Sequence, residues 1–325
     1  MAQPLLEVTD LSVRFDTDDG PVHAVDRLSF TLQPGEVLGM VGESGCGKST
    51  TCLSLVRLLP KTAAISGRVA FDGVDLLALK TRELREVRSH DVSFVFQEPA
   101  TSLNPVLTVG AQIAEVLRKH GGFSRRDARG RTIELLRLVH IPAPEKRIDA
   151  YPHQLSGGMR QRVMIAMALA CAPKVLIADE PTSALDVTIQ AGILDLLVDI
   201  RDRLGTAILF VTHDLGVVAH VADRVLVMYA GRIAEEAPTP DLFARPQHPY
   251  TIGLLGAIPR VRGPDEGRSR LREIPGRVPS LHVVASGCAF ADRCPRADET
   301  ACVHVPVLSA VGPGQRVACF HPGPE

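Results

Sequence analysis

Apolar residues along the first two thirds of the chain follow two rhythms. Short apolar runs at 36–41, 92–96, 175–178, 207–211 and 225–228 predict strands, and stretches of helical spacing lie between them. That alternation predicts an α/β fold with a mostly parallel core sheet and crossover helices. The run Val175-Leu176-Ile177-Ala178 shows no polar alternation, so it predicts a central strand covered on both faces. Between about 98 and 154 the pattern turns helical, with helices expected at 109–120 and 127–139. This predicts a helical insertion at about 98–160 within a first domain spanning 1–235. Prolines then crowd the chain from Pro238 and Pro240 through Pro275 and Pro279. Residues 236–325 therefore read as a small, loop-rich C-terminal domain that needs a staple beyond its own core.

Composition narrows the class. The 325 residues exceed one minimal core but are few for two full-sized ones. Lys and Arg total 36 against 37 acids, so no overall charge draws the chain to nucleic acid or anionic lipid. Arg125, Arg126, Arg129 and Arg131 form a local basic run, read as a solvated helix face with an interaction surface as the alternative. The strand-like start Leu5-Leu6-Glu7-Val8 predicts no secretory leader. The best apolar stretch, 163–172, is stopped by Pro173-Lys174 before it could span a bilayer, so other chains would have to hold the protein at a membrane. Seven cysteines in a chain read as cytosolic suggest thiols or metal ligands rather than disulfides.

The chemistry begins at Gly42-Glu43-Ser44-Gly45-Cys46-Gly47-Lys48-Ser49, a complete Walker A pattern. It follows the apolar run 37–41 and leads into a helical run at 50–59 beginning with Thr50. Glycines let the backbone curl so that successive N–H groups face phosphate oxygens, with a helix N-terminus behind them. Lys48 is expected on the β- and γ-phosphates of ATP and the Ser49 hydroxyl on Mg²⁺. Cys46 is read as a tolerated small side chain rather than a redox switch. Phe15 is a candidate for stacking on adenine, with core packing the competing reading.

A second apolar run, Val175 to Ala178, ends in Asp179 and Glu180. Neighbouring strand residues face opposite sides, so both acids can serve one site only where the strand ends and turns. Asp179 is expected in the Mg²⁺ shell, and Glu180 as the base that orients the attacking water. Leu155-Ser156-Gly157-Gly158-Met159-Arg160-Gln161-Arg162 precedes a helical run at 159–170, leaving backbone N–H groups free for an anion.

Together with the two Walker motifs, this segment resembles the signature sequence of ABC ATPases, a class of P-loop NTPases. The resemblance extends in order to Gln97 of a Q-loop, to Ser183-Ala184-Leu185-Asp186 of a D-loop and to His213 of a switch loop. It implies that Gln97 touches Mg²⁺ and the attacking water and that His213 senses the γ-phosphate. It also implies that Ser156, Gly157 and Gly158 act on nucleotide bound by a second ATPase subunit, by family habit a paralogue.

Several segments are narrower markers. Gln97-Glu98-Pro99-Ala100-Thr101-Ser102-Leu103-Asn104-Pro105, Tyr151-Pro152-His153-Gln154, His248-Pro249-Tyr250-Thr251 and Ile274-Pro275-Gly276-Arg277-Val278-Pro279-Ser280-Leu281 resemble the ATP-binding subunits of dipeptide and oligopeptide importers. The resemblance implies a peripheral place on the cytoplasmic face of the membrane, two integral permease subunits and an extracytoplasmic solute-binding protein. Related importers carry nickel or glutathione. A soluble ABC ATPase of DNA repair or translation is a competing class, as is a metal-binding module with a regulatory ATPase. Neither a second cassette nor a long coiled-coil insertion is present to support the soluble class, and the complete catalytic set argues against the regulatory one.

Cys288, Cys294, Cys302 and Cys319 lie in the tail. Four thiolates suffice for a [4Fe–4S] cluster or for Zn²⁺, although the close Cys-x₂₋₄-Cys pairs that structural zinc favours are missing. Some peptide-importer subunits carry a four-cysteine iron–sulfur cluster in this tail, and these positions resemble it. The expectation is a cluster acting as the tail's staple, with zinc or plain buried thiols as alternative contents and redox sensing, in a regulatory C-terminal domain, as the alternative role.

Overall fold

The computed structural model describes residues 3–183, 185–258, 273–279 and 287–323, with the side chains of Pro99, Ala100 and Cys302 outside that set. Ala184 of the expected D-loop, and Ser280 and Leu281 of the last importer-like segment, also lie outside the described residues. The chain divides into two units. One comprises Met1–Leu5, Leu32–Val37 and Asp75–Val211; the other comprises Leu6–Thr31, Leu38–Val74 and Thr212–Glu325.

In the first unit, strands Val92–Val95, Val175–Asp179 and Ala207–Thr212 pair in parallel, Val92 beside Val175 and Val175 beside Ala207. Every residue of Val175–Asp179 is buried, as its unbroken apolar run predicts. Side-chain caps set the helix starts. Thr108 accepts the Ala111 N–H to open helix Val109–Lys119, and Ser124 accepts from Asp127 to open Arg125–Leu138. The latter helix therefore starts two residues before the expected 127, because Ser124 rather than an apolar position decides its beginning. Val109, Ile113 and Leu117 recur at four-residue spacing on the first of these helices and are all fully buried. The arginine run lies on the exposed side of the second, where Arg129 makes a bidentate pair with Asp149 at 3.0 Å and Arg131 pairs with Glu134. That is a solvated face.

The second unit holds two sheets. An antiparallel one runs Gly20–Leu32, Leu6–Thr17, Ala63–Phe71 and Val74–Asp75, in that order. In the other, Val37–Val41 pairs in parallel with Arg224–Tyr229, which pairs antiparallel with Arg232–Pro238. The tail then adds Gln315–Val317 beside Arg232–Pro238, and Ser309–Gly312 beside Gln315–Val317. Among the described residues no helix is long and apolar enough to cross a membrane.

Contacts other than a metal staple the tail among the described residues. Among the described residues no group of three or more His, Cys, Asp or Glu side chains is arranged to hold a metal ion, which corrects the expected [4Fe–4S] cluster and its zinc alternative. Cys288, Cys294 and Cys319 are free, half-buried thiols, and the Cys302 side chain lies outside the described residues. Burial pushes the Cys288 and Cys319 thiols up. Backbone N–H groups of Arg296 and His321 donate instead to the sulfurs of Cys294 and Cys319, at 3.4 and 3.3 Å.

Strand addition, a polar clamp and an aromatic cluster hold the tail. The buried Glu235 carboxylate accepts from the backbone of Gln247 and His248 and from Gln315 Nε2, at 2.8, 2.8 and 3.0 Å. Beside it, Glu236 pairs with both Arg224 and Arg316. Phe290 packs against Tyr229, Tyr250 and His248 with ring centroids 5.2, 5.5 and 5.7 Å apart. Such contacts supply apolar area that a small appendage otherwise lacks.

His248 caps helix Pro249–Gly256 by accepting the Tyr250 N–H on Nδ1 at 3.0 Å. Burial pushes its pKa down to about 4 from 6.5, while a bond to the Ala318 backbone opposes the shift. Between these values the unfolded chain binds a proton that the folded chain refuses, so stability is lost as pH falls through that window. The loss attributable to His248 is roughly 3 kcal/mol. In urea unfolding at pH 7 and pH 4.5, His248→Gln should therefore lose less stability on acidification than the wild type; equal losses would contradict this.

Candidate nucleotide-binding site

The phosphate loop belongs to the second unit. Strand Val37–Val41 is buried throughout and delivers the chain to Gly42. Two positions demand glycine. A Cβ on Gly42 would lie 2.3 Å from the Met228 carbonyl oxygen, and one on Gly47 would lie 2.3 Å from that of Ala24. Gly47 also sits at φ 103°, in the left-handed region, as the N-cap of helix Lys48–Leu55. That helix begins with no side-chain cap and no acid in its first turn, so its leading N–H groups suit an anion. It starts two residues before the expected position because the loop's last glycine is itself the cap. It ends at Leu55, short of the expected 59, and Arg57 then turns left-handed at φ 51°.

Lys48 lies buried across the loop, donating from Nζ to the Gly42 oxygen at 2.7 Å and the Glu43 oxygen at 3.1 Å. Ser44, Gly45 and Ser49 are exposed and Thr50 half-buried, at the open side of the loop. Cys46 is buried and burial raises its thiol pKa, the opposite of what a reactive cysteine needs. Phe15 lies half-buried on strand Leu6–Thr17, beside Ala63. His213 is exposed after strand Ala207–Thr212, immediately before Asp214, which caps helix Leu215–Val221.

The acid pair belongs to the first unit. Asp179 is the buried last residue of its strand. Glu180 follows with φ 45°, a left-handed conformation unusual for a side-chain-bearing residue, and its N–H donates to Val211 O at 2.9 Å. The sharp turn frees the carboxylate from the strand's alternation, as two adjacent acids at one site require, and such strain gathers at functional positions. Gln97, just after strand Val92–Val95, donates from Nε2 to the Glu180 Oε2 at 3.1 Å. Two residues 83 apart in sequence are thus brought together.

Ser156 caps helix Gly157–Ala168 by accepting the Met159 N–H at 3.3 Å. A Cβ on Gly158 would lie 2.4 Å from Ile189 Cγ2, so the helix start packs closely on helix Val187–Leu204. Ser156 stays exposed at this terminus.

Two contacts in the loop's surroundings were invisible in the sequence. Tyr250 Oη accepts the Glu43 N–H at 2.9 Å, and Arg293 grips the Glu43 carboxylate with Nη1 and Nη2 at 2.7 and 3.0 Å. Tyr250 stood in a recognisable importer-like segment but gave no sign of its target. Arg293, 250 positions from Glu43, gave no signal at all.

Glycine-curled phosphate loops occur across many nucleotide enzymes, whereas a Ser-Gly-Gly helix start in the same chain as the two Walker motifs points to ATP-binding cassette ATPases. Comparison with known proteins agrees. The family model described as "ABC transporter" matches residues 25–183, and "Oligopeptide/dipeptide transporter, C-terminal region" matches 234–302. The chain belongs to the ABC transporter family and is one of its ATPases. It is 55% identical, over 98% of its length and 95% of the relative's, to a Sinorhizobium fredii protein described as "Probable peptide ABC transporter ATP-binding protein y4tR". It is 51% identical to the oligopeptide transport ATP-binding protein OppD of Salmonella typhimurium, over 100% of this chain and 96% of that one. Among solved structures, the dimer of the ATP-binding cassette MJ0796 bound to ADP and Pi matches with a TM-score of 0.65 at 29% identity, covering 72% of this chain and 98% of that one.

Gly47→Ala tests the loop geometry. A methyl group there meets Ala24 O in a backbone conformation that alanine resists, so ATP binding should weaken by at least about tenfold. Titration with a fluorescent ATP analogue reads this; unchanged affinity would show that the loop's curl does not set binding.

Proposed function

We propose that this chain is the ATP-hydrolysing subunit of an ABC importer for dipeptides or oligopeptides, held at the cytoplasmic face of the membrane by its partners. The observation that carries the reading is the full-length likeness to peptide-transport ATP-binding subunits, continuing through the C-terminal region. Nickel or glutathione as cargo is the second reading, on the same machinery.

In this reading the phosphate loop receives the triphosphate, with Lys48 leaving its carbonyl partners for phosphate oxygens and the N–H groups of residues 44–50 supplying the cradle. The oxygen donors of Ser49, Gln97 and Asp179 are of the hard type that Mg²⁺ prefers, and Mg²⁺ bound there would neutralise charge on the β- and γ-phosphates. Glu180 holds the attacking water and takes its proton, with Gln97 steadying the carboxylate through the contact already in place. His213 reads the γ-phosphate. Ser156, Gly157 and Gly158 cover the nucleotide of a second ATPase subunit, read as a paralogue, whose own signature completes this chain's site.

The first unit also offers a groove of about 570 Å³ lined by Phe94, Phe96, Met164, Met167 and His120. Flexible methionines and an exposed phenylalanine suit docking of an amphipathic helix, and a helix of one of the two permease subunits is the proposed occupant. A solute-binding protein outside the membrane would deliver the cargo. Nothing in the charge balance calls for nucleic acid.

Affinity purification from native membranes tests the assembly. Two multi-spanning proteins should accompany the chain; ribosomes or DNA in their place would overturn the importer reading. Glu180→Gln should lower ATP turnover by about a hundredfold or more while leaving ATP binding intact, and substantial residual turnover would remove Glu180 from its role.

A further inference from the structure

The phosphate loop carries a charge of the wrong sign. Glu43, its second residue, places a carboxylate within a motif that must receive a polyanion. All three polar handles of this residue are occupied. Its N–H donates to Tyr250 Oη, its carbonyl accepts from Lys48 Nζ, and its carboxylate accepts both terminal nitrogens of Arg293. The two tail residues are themselves fixed. Tyr250 is fully buried, and the Arg293 side chain is 4% exposed. Arg293 also donates from Nε to Pro275 O at 2.8 Å and from Nη1 to Tyr229 Oη at 3.3 Å, and its guanidinium lies 5.7 Å from the Tyr229 ring centroid. A bidentate, desolvated arginine neutralises a carboxylate far better than a surface lysine does, and its planar fork also fixes the carboxylate's direction.

We propose that Arg293 and Tyr250 are positioning residues of the nucleotide site: Arg293 cancels and anchors the Glu43 charge beside the incoming triphosphate, and Tyr250 fixes the loop's second amide. The C-terminal region is then a working part of the ATP site as well as an appendage to it. This rests on the reading of the loop as the ATP site.

A simple structural staple and an electrostatic one part company when Glu43 is changed. Glu43→Gln removes the repulsion yet leaves Arg293 short of its anion, so the melting temperature should fall while ATP binding stays equal or tightens. Arg293→Met exposes the Glu43 charge, so ATP binding should weaken by about tenfold at low salt and by less at high salt. Combining Glu43→Gln with Arg293→Met should bring affinity back to within about threefold of wild type. Tyr250→Phe, which deletes one hydroxyl and disturbs packing least, should weaken ATP binding severalfold.

The experiment is titration of the full chain and these variants with a fluorescent ATP analogue at two salt concentrations, with thermal unfolding alongside. A wild-type chain that binds no nucleotide would overturn the ATP reading and this inference together. Wild-type binding with Arg293→Met and Tyr250→Phe unchanged would overturn the inference alone. So would a double variant as weak as Arg293→Met, since the arginine would then serve the fold and not the charge.

Discussion

A buried backbone turn that only glycine can make governs this protein's chemistry. Gly42 and Gly47 pass within contact distance of the carbonyls of Met228 and Ala24, and no side chain fits at either point. The turn leaves the start of helix Lys48–Leu55 without a side-chain cap, and that deficit of hydrogen-bond acceptors is what a phosphate satisfies. Lys48 donates to the loop's own carbonyls, and in the proposed reading phosphate oxygens would compete for it. Tyr250 and Arg293 of the tail bind the loop directly, at the Glu43 N–H and carboxylate.

The first unit solves a different problem, the presentation of two adjacent carboxylates at one strand end. Asp179 keeps strand geometry and Glu180 abandons it for a left-handed turn, with Gln97 waiting to receive it. Strain at Glu180 and the Gln97 contact are local features of the strand ends. In the proposed reading of Glu180 as the base, its hydrogen-bond partner Gln97 is already in place.

The elements with strong signals were legible. Unbroken apolar runs located the central strands to within a residue or two, because burial on both faces permits little else. Three helix starts were misplaced by two residues: Ser124, Ser156 and Gly47 open their helices earlier than the apolar pattern suggested, whereas the helix that Thr108 caps begins at 109 as expected. The motifs named the nucleotide chemistry because each encodes a local backbone shape. What stays silent in a sequence is a contact between distant residues, and Arg293 on Glu43 is one. The tail's cysteines misled for the same reason. Their count suggested a metal staple, whereas strand addition, Glu235 and the rings around Phe290 supply the cohesion, none of which leaves a spacing pattern.

The most direct test of the central claim is uptake of a labelled oligopeptide into sealed vesicles containing the chain with its co-purified membrane and binding proteins. The result expected is peptide accumulation that requires ATP on the chain's side and disappears when Lys48 is replaced by alanine. Peptide uptake that persists with Lys48→Ala, or ATP-driven uptake of nickel or glutathione with peptide ignored, would contradict it.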